Sequence, residues 1–404
     1  MHKGGIILEN ISLPKGFLLS SINCEIKEGI KKKDLGLIYS EVPGNAFGVF
    51  TQNKVKSAPV IVSMNRIKNK IAQAIVVNSG NANACTGEQG IKDALTICKE
   101  VAKMLNIDEN LVLVASTGVI GKYLPMDKIL PKIPELINNL NREDIIGFEY
   151  SIMTTDKRPK IISTHFEIGG EICTITGFAK GSGMIHPNMA TMLAFIISDI
   201  NISQDLLELA FKEAIEDTFN MISVDGDTST NDTVFIIANG LAKNPEIKEK
   251  DKNYENFKNQ LTKVCEYLAI EIARDGEGAT KLINVKVINA PDIKTAKILA
   301  KTVVSSNLVK TAIYGEDANW GRIMCALGYA NCNYDPSKAD IYLGDILVAK
   351  DGIYFHFDED SAKKELSKSE ITITIDLKDG NFSAQAWGCD LTEEYIQINA
   401  KYRT

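Results

Sequence analysis

The chain has 404 residues, with 45 Lys plus Arg against 52 Asp plus Glu and a formal net charge of −7. That balance argues against a nucleic-acid or anionic-membrane partner, and the short basic runs 31–33 and 66–70 read as solvated faces. The length predicts two or three domains, no apolar stretch approaches the roughly 20 residues of a membrane span, and eight cysteines without zinc or disulfide-scaffold spacing read as reduced thiols. With no signal or transit pattern at the start, the expected location is the cytoplasm.

In chain order, the first strand-like run is 74–77. A glycine-containing loop follows at 78–87, then a helix over 88–105 whose stripe is Ile91, Ala94, Leu95, Cys98, Val101, Ala102 and Leu105. The loop has neither a dinucleotide fingerprint nor a Walker lysine, so a backbone-shaping role beside a site is preferred to phosphate binding. Further strands are predicted at 111–115, 164–168, 172–179 and 192–197, and a helix at 204–218 after the cap Ser203. A strand at 234–238 precedes a charged surface connection, 244–256, a helix at 253–273, a strand at 283–288 and a helix at 292–308. A strand at 372–377 and a polar turn at 380–386 complete the pattern. Long helices separated by buried strands predict an α/β (α+β) fold with helix-covered sheets.

The acidic run Asp225-Gly-Asp-Thr-Ser-Thr-Asn-Asp232 spaces oxygens like a calcium loop. It has Thr230 where that loop needs glycine and Ile236 where it needs a bidentate glutamate, so no metal is expected. The four histidines (2, 165, 186 and 356) form no zinc-protease pattern, and no nucleophile elbow or C-x-x-C is present.

The most informative stretch is Lys180-Gly-Ser-Gly-Met-Ile-His-Pro-Asn-Met-Ala-Thr-Met-Leu. Glycines and Pro187 break regular structure ahead of an apolar run, which places Thr191 at a loop-to-strand boundary. Taken alone, Thr191 reads as a strand-leading threonine satisfied by backbone hydrogen bonds. The chemical alternative is a nucleophile. If the peptide bond between Ala190 and Thr191 breaks, Thr191 gains an α-amino group of pKa about 7.7–8 that serves as its own base. His186 is the competing base, and the products are chains 1–190 and 191–404.

That segment resembles the processing segment of the ornithine acetyltransferases, also called glutamate N-acetyltransferases, of arginine biosynthesis. Similar stretches are Gly48-Val-Phe-Thr-Gln-Asn-Lys with Ala58-Pro-Val, Asn78-Ser-Gly-Asn-Ala-Asn-Ala-Cys-Thr-Gly87 and Ser116-Thr-Gly-Val-Ile-Gly121. Further along are the acidic run 225–232, Asp275-Gly-Glu-Gly-Ala-Thr-Lys281, Gly315-Glu-Asp-Ala-Asn-Trp-Gly-Arg322 and Tyr395-Ile-Gln-Ile-Asn-Ala-Lys-Tyr-Arg-Thr404. The resemblance implies an αββα sandwich with a smaller domain toward the C-terminal part. It also implies acetyl transfer from N2-acetylornithine to glutamate through an ester on Thr191. Thr117 and Gly118 are implied to stabilise the oxyanion, and Thr154, Lys180, Thr191, Glu277, Asn399 and Thr404 to bind amino-acid substrates. No cofactor is implied. The motifs are common to monofunctional and bifunctional members, so they leave open whether acetyl-CoA serves as a second acetyl donor. The two fragments are implied to assemble as a heterotetramer. Hydrolysis by the same threonine, as in an amidohydrolase or aminopeptidase, is the main alternative, and an unprocessed metabolite-binding protein is another.

Overall fold

The computed structural model describes residues 11–27, 29, 31–186 and 192–401. His2, Ala190, Thr191 and Thr404 therefore lie outside the described residues. Strands β1 (Phe17–Ile22) and β2 (Leu35–Phe50), helix α1 (Ala58–Arg66), β3 (Ile71–Asn78), α2 (Gly87–Leu105) and β4 (Val112–Ser116) come first. Short helices α3 (Met126–Ile129), α4 (Ile133–Asn138) and α5 (Ile145–Ile152) lead to β5 (Ile161–Ile168), β6 (Glu171–Lys180), β7 (Leu193–Ser198), α6 (Gln204–Asp217), β8 (Ile222–Ser223), β9 (Thr233–Ala238) and α7 (Lys252–Arg274). The remainder is β10 (Leu282–Ala290), α8 (Ile293–Ser305), α9 (Asn307–Tyr314), α10 (Trp320–Gly328), β11 (Asp340–Leu343), β12 (Ile346–Lys350), β13 (Ile353–Tyr354), α11 (Glu359–Leu366), β14 (Glu370–Asp376), β15 (Phe382–Cys389) and α12 (Glu393–Lys401).

The first sheet runs β4-β3-β2-β9-β7-β6-β5, with β1 also paired to β2. Strand β2 is 16 residues long and slips register against β3 between Tyr39 and Gly44, so its first half pairs with β1 and its second with β9. Period-two alternation then assigns each side chain to a layer. Ile75 and Val77 of β3, Phe195 and Ile197 of β7, and Phe235 and Ile237 of β9 share one core, into which α5 inserts Phe148 and Ile152. Phe148 meets Phe178 at 5.1 Å and Phe195 at 6.0 Å, edge to face. The intervening residues face outward: Ala74 and Val76 pack with Ala94, Ile97 and Cys98 of α2, while Ala194, Ile196, Val234 and Ile236 pack with α6 and α7. Helices thus cover both outer faces of a doubled sheet, the αββα layering the resemblance implied.

The second sheet, β13-β12-β11-β14-β10-β15-β8, lies in the C-terminal part. Its inward residues Ile283, Val285 and Val287 join the core that surrounds α7, so the two sheets share one continuous interior. The strands that flank the segment 187–191, β6 and β7, belong to one sheet. They pair antiparallel, with Lys180 opposite Leu193.

Two expectations need correction. The polar stretch 380–386 is not a turn: from Phe382 it is strand β15, paired to β10, and its polar look reflects an exposed face carrying Ser383 and Gln385. The helix at 292–308 is two helices, because Ser306 leaves helical geometry and its hydroxyl accepts from Val309 N to start α9. Among the described residues, no helix is long and apolar enough to cross a membrane, and the eight cysteines are unpaired.

Candidate active site

A cavity of about 360 Å³ opens where several strand ends converge. Thr117 and Gly118 arrive just after β4, Lys180 is the last residue of β6, Leu193 is the first of β7, and Asp232 immediately precedes β9. Thr154, Glu277 and Asn399 also line it, as does Met192, the residue after Thr191 in the chain. The six implied site residues that are described, Thr117, Gly118, Thr154, Lys180, Glu277 and Asn399, therefore line one cavity although they span more than half the sequence.

The Thr117 loop is built on the 78–87 loop. Thr117 N donates to Asn78 O at 2.9 Å, Ala82 N to Val119 O at 3.0 Å, and Gly121 N to Ala84 O at 3.0 Å. Ser116 Oγ donates to Asn78 Oδ1 at 2.6 Å, and Asn231 Nδ2 donates to both Ala82 O (2.6 Å) and Ser116 O (2.8 Å). Gly118 has φ +133°, and a Cβ there would stand 2.3 Å from the Gly80 carbonyl carbon, so only glycine permits this backbone approach. The 78–87 loop thus shapes backbone, the role preferred from sequence.

A buried ion cluster that sequence reasoning missed braces the segments carrying Thr154, Lys180 and Glu277. Lys160 Nζ donates to Asp156 Oδ1 at 2.8 Å and to Asp275 Oδ2 at 2.6 Å, and the Lys160 side chain is fully buried. Asp156 also accepts from Gly181 N (2.6 Å) and Thr154 N (2.9 Å). One lysine thereby ties together the segments that deliver Thr154, Lys180 and Glu277. Burial alone would raise the Asp156 carboxyl, but the Lys160 and Lys180 charges and the hydrogen bonds outweigh it and hold the group below the usual carboxylate range. No sequence pattern marks this cluster: Asp156 and Lys160 are an ordinary pair four residues apart, and their partner Asp275 lies more than a hundred residues away.

Inside the cavity, Glu277 Oε2 accepts from Asn399 Nδ2 at 2.9 Å, and Glu277 N donates to Ser182 O at 2.8 Å. Lys180 is buried and, among the described residues, its side chain makes no hydrogen bond or ion pair. Asp232 is also buried, and among the described residues its Oδ2 has no hydrogen-bond partner. Burial pushes its carboxyl well above the usual range against the opposing pull of Ser229, Thr51 and Lys180. A small zwitterion suits this lining: a carboxylate for Lys180 and an ammonium for the acids.

His186 faces elsewhere. Its Nδ1 lies 3.0 Å from Ser223 Oγ and 3.5 Å from Ser305 Oγ, and it is not part of the cavity lining. Burial, with Lys301 and Lys310, lowers its pKa to about 4. The acidic run 225–232 serves backbone: Asp225 accepts from Met184 N and Ile185 N. Among the described residues no group of three or more His, Cys, Asp or Glu is placed to hold a metal ion. The C-terminal segment is helix α12, which turns Tyr395 and Asn399 to the cavity and leaves Ile396 65% exposed, so that apolar residue is not explained by burial at the site.

Comparison with known proteins adds a second line. A model of the ArgJ family matches residues 18–404. The chain is 52% identical over 398 residues to a protein of Caldanaerobacter subterraneus subsp. tengcongensis named arginine biosynthesis bifunctional protein ArgJ, covering 98% of each. It is equally 52% identical over 398 residues to the Thermotoga neapolitana protein of that name, covering 97% of this chain and 100% of the other. A crystal structure of arginine biosynthesis bifunctional protein argJ from Bacillus halodurans is 47% identical with a TM-score of 0.51, and covers 52% of this chain and 100% of that chain.

Proposed function

This chain belongs to the ArgJ family, and on that premise we propose that it is a self-processing glutamate N-acetyltransferase of arginine biosynthesis. It moves the acetyl group of N2-acetyl-L-ornithine to L-glutamate through an ester on Thr191, giving L-ornithine and N-acetyl-L-glutamate. The observation that carries this reading is the convergence of Thr117, Gly118, Thr154, Lys180, Glu277 and Asn399 with Met192, the neighbour of Thr191, around one cavity.

Processing comes first. The Thr191 hydroxyl adds to the Ala190 carbonyl carbon, the C–N bond breaks with the proton passing to nitrogen, and water hydrolyses the resulting ester. This leaves a free carboxylate on Ala190 and a free amine and hydroxyl on Thr191. In the transfer cycle that amine takes the hydroxyl proton as the oxygen attacks the acetyl carbon, and returns it to the departing amine of ornithine. Glutamate then enters with its amine unprotonated and attacks the ester, restoring the hydroxyl. In each step Thr117 Oγ1 and Gly118 N–H face the developing oxyanion, where one such donor is worth about 3 kcal/mol. Lys180 receives the substrate carboxylate, and Glu277, steadied by Asn399, receives the cationic end.

Products 1–190 and 191–404 share a sheet through β6 and β7, so they stay together after cleavage as the alpha and beta chains of one unit, two of which form the heterotetramer. The solved Bacillus halodurans chain, matched throughout by about half of this one, has the length expected of a separated fragment. Acetyl-CoA is a second donor in this reading, in keeping with the word bifunctional in the relatives' names, and no resident cofactor is required. The site is taken to work in the cytoplasm. The test is ornithine release from acetylornithine by the purified protein: release that depends on glutamate supports transfer, whereas equal release without any acceptor assigns hydrolysis instead.

A further inference from the structure

The acidic run 225–232 is left without a role by the mechanism above, yet it grips the chain just before the segment 187–191, and the start of β9 that follows it holds the chain just after. Upstream, Asp225 accepts from Met184 N through Oδ2 (2.6 Å) and from Ile185 N through Oδ1 (2.9 Å). Val224 N donates to Ile185 O at 2.7 Å, Thr228 Oγ1 donates to His186 O at 2.9 Å, and Ile185 and Thr228 form an isolated antiparallel bridge. Downstream, Thr233 N donates to Met192 O at 2.8 Å. Met184 is held at φ +56°, a left-handed conformation that a methionine adopts only when its surroundings impose it.

We propose that the loop 224–233 is a clamp that sets the geometry for self-processing, with the Asp225 carboxylate as its main positioning residue. This rests on the reading of cleavage between Ala190 and Thr191. Intramolecular attack depends on holding the reacting atoms close and aligned. A carboxylate accepting two consecutive N–H groups fixes the upstream approach more firmly than neutral bonds do, while Thr233 fixes the downstream end. The clamp is wholly C-terminal to the cut, so Met184, Ile185 and His186 of the first fragment stay docked on the second after cleavage. Tyr395 donates to the same Asp225 Oδ2 at 3.2 Å, which ties the clamp to α12 and to Asn399 on it.

The test is a time course of cleavage in freshly translated full-length chain, read by intact mass. Asp225→Asn can accept only one of the two N–H bonds, and cleavage is expected to slow by at least about tenfold. In parallel, amide exchange is measured in the uncut Thr191→Ala chain with and without Asp225→Asn. The Met184 and Ile185 amides are expected to lose protection while the β6 and β7 amides keep theirs, which a general loss of structure does not produce. If Asp225→Asn does not fold, Thr228→Val carries the test, with slowing of about threefold or more expected. Cleavage at the wild-type rate, or unchanged exchange at 184 and 185, overturns the clamp with processing intact. A wild-type chain that stays whole overturns the processing reading and the clamp with it.

Discussion

The two sheets reach the cavity in different ways. The bent first sheet reaches it with strand ends: Lys180 closes β6, Leu193 opens β7, and Thr117 follows β4 directly. The seven-stranded sheet reaches it only with segments that enter or leave its strands: Asp225 after β8, Glu277 before β10, and Tyr395 and Asn399 after β15. The first sheet thus brings ladder residues to the cavity rim, whereas the second contributes only connections and the helix that follows its last strand.

The comparison is broken most severely at the junction itself. Thr191→Ala is expected to leave a whole 404-residue chain without transferase activity, seen as a single species by intact mass. Next in size is Gly118→Ala, where the new Cβ meets the Gly80 carbonyl. Displacing the oxyanion donor there is expected to lower kcat by about 10²–10³, measured as turnover of acetylornithine at saturating glutamate. Lys160→Met tests the brace: Asp156 and Asp275 lose their shared cation, and destabilisation of about 3–5 kcal/mol is expected in denaturant unfolding.

Smaller effects belong to the second-sheet side. His186 is neutral in the fold, with its pKa lowered to about 4 from 6.5, so the unfolded chain binds its proton first as pH falls. Its contribution to stability is full above pH 6.5 and is lost progressively from there toward about 4. His186→Gln is expected to flatten that part of the stability–pH curve. Smallest is Lys297→Ala, which removes a 2.6 Å ion pair to the largely exposed Asp217. A change under about 1 kcal/mol with unaltered turnover is expected, checked by thermal unfolding and the same assay.

The same division explains what the sequence made legible. Apolar runs flanked by turn residues located β3, β4, β6, β7, β9 and β10, and the stripes of α2, α6 and α7 set their lengths closely. Strand β2 escaped notice because Gly36, Pro43, Gly44 and Gly48 interrupt its apolar pattern, and its register against β3 shifts between Tyr39 and Gly44. Strand β15 looked like a turn because one face is wet. Motif resemblance picked out Thr117, Gly118, Thr154, Lys180, Glu277 and Asn399 as candidates that prove to be neighbours in space. It gave no sign of Asp156, Lys160 and Asp275, whose importance lies in a three-way meeting that no linear pattern encodes, nor of Asp232, whose burial becomes visible only in the fold.

The central claim is an acetyl ester formed on a threonine that has become a chain terminus. The most direct measurement is mass spectrometry of purified protein incubated with acetylornithine and no glutamate. A fragment beginning at Thr191 is expected to gain one acetyl group, mapped to that residue and discharged when glutamate is added. A fragment that gains nothing, or an acetyl group mapped to any other residue, contradicts it.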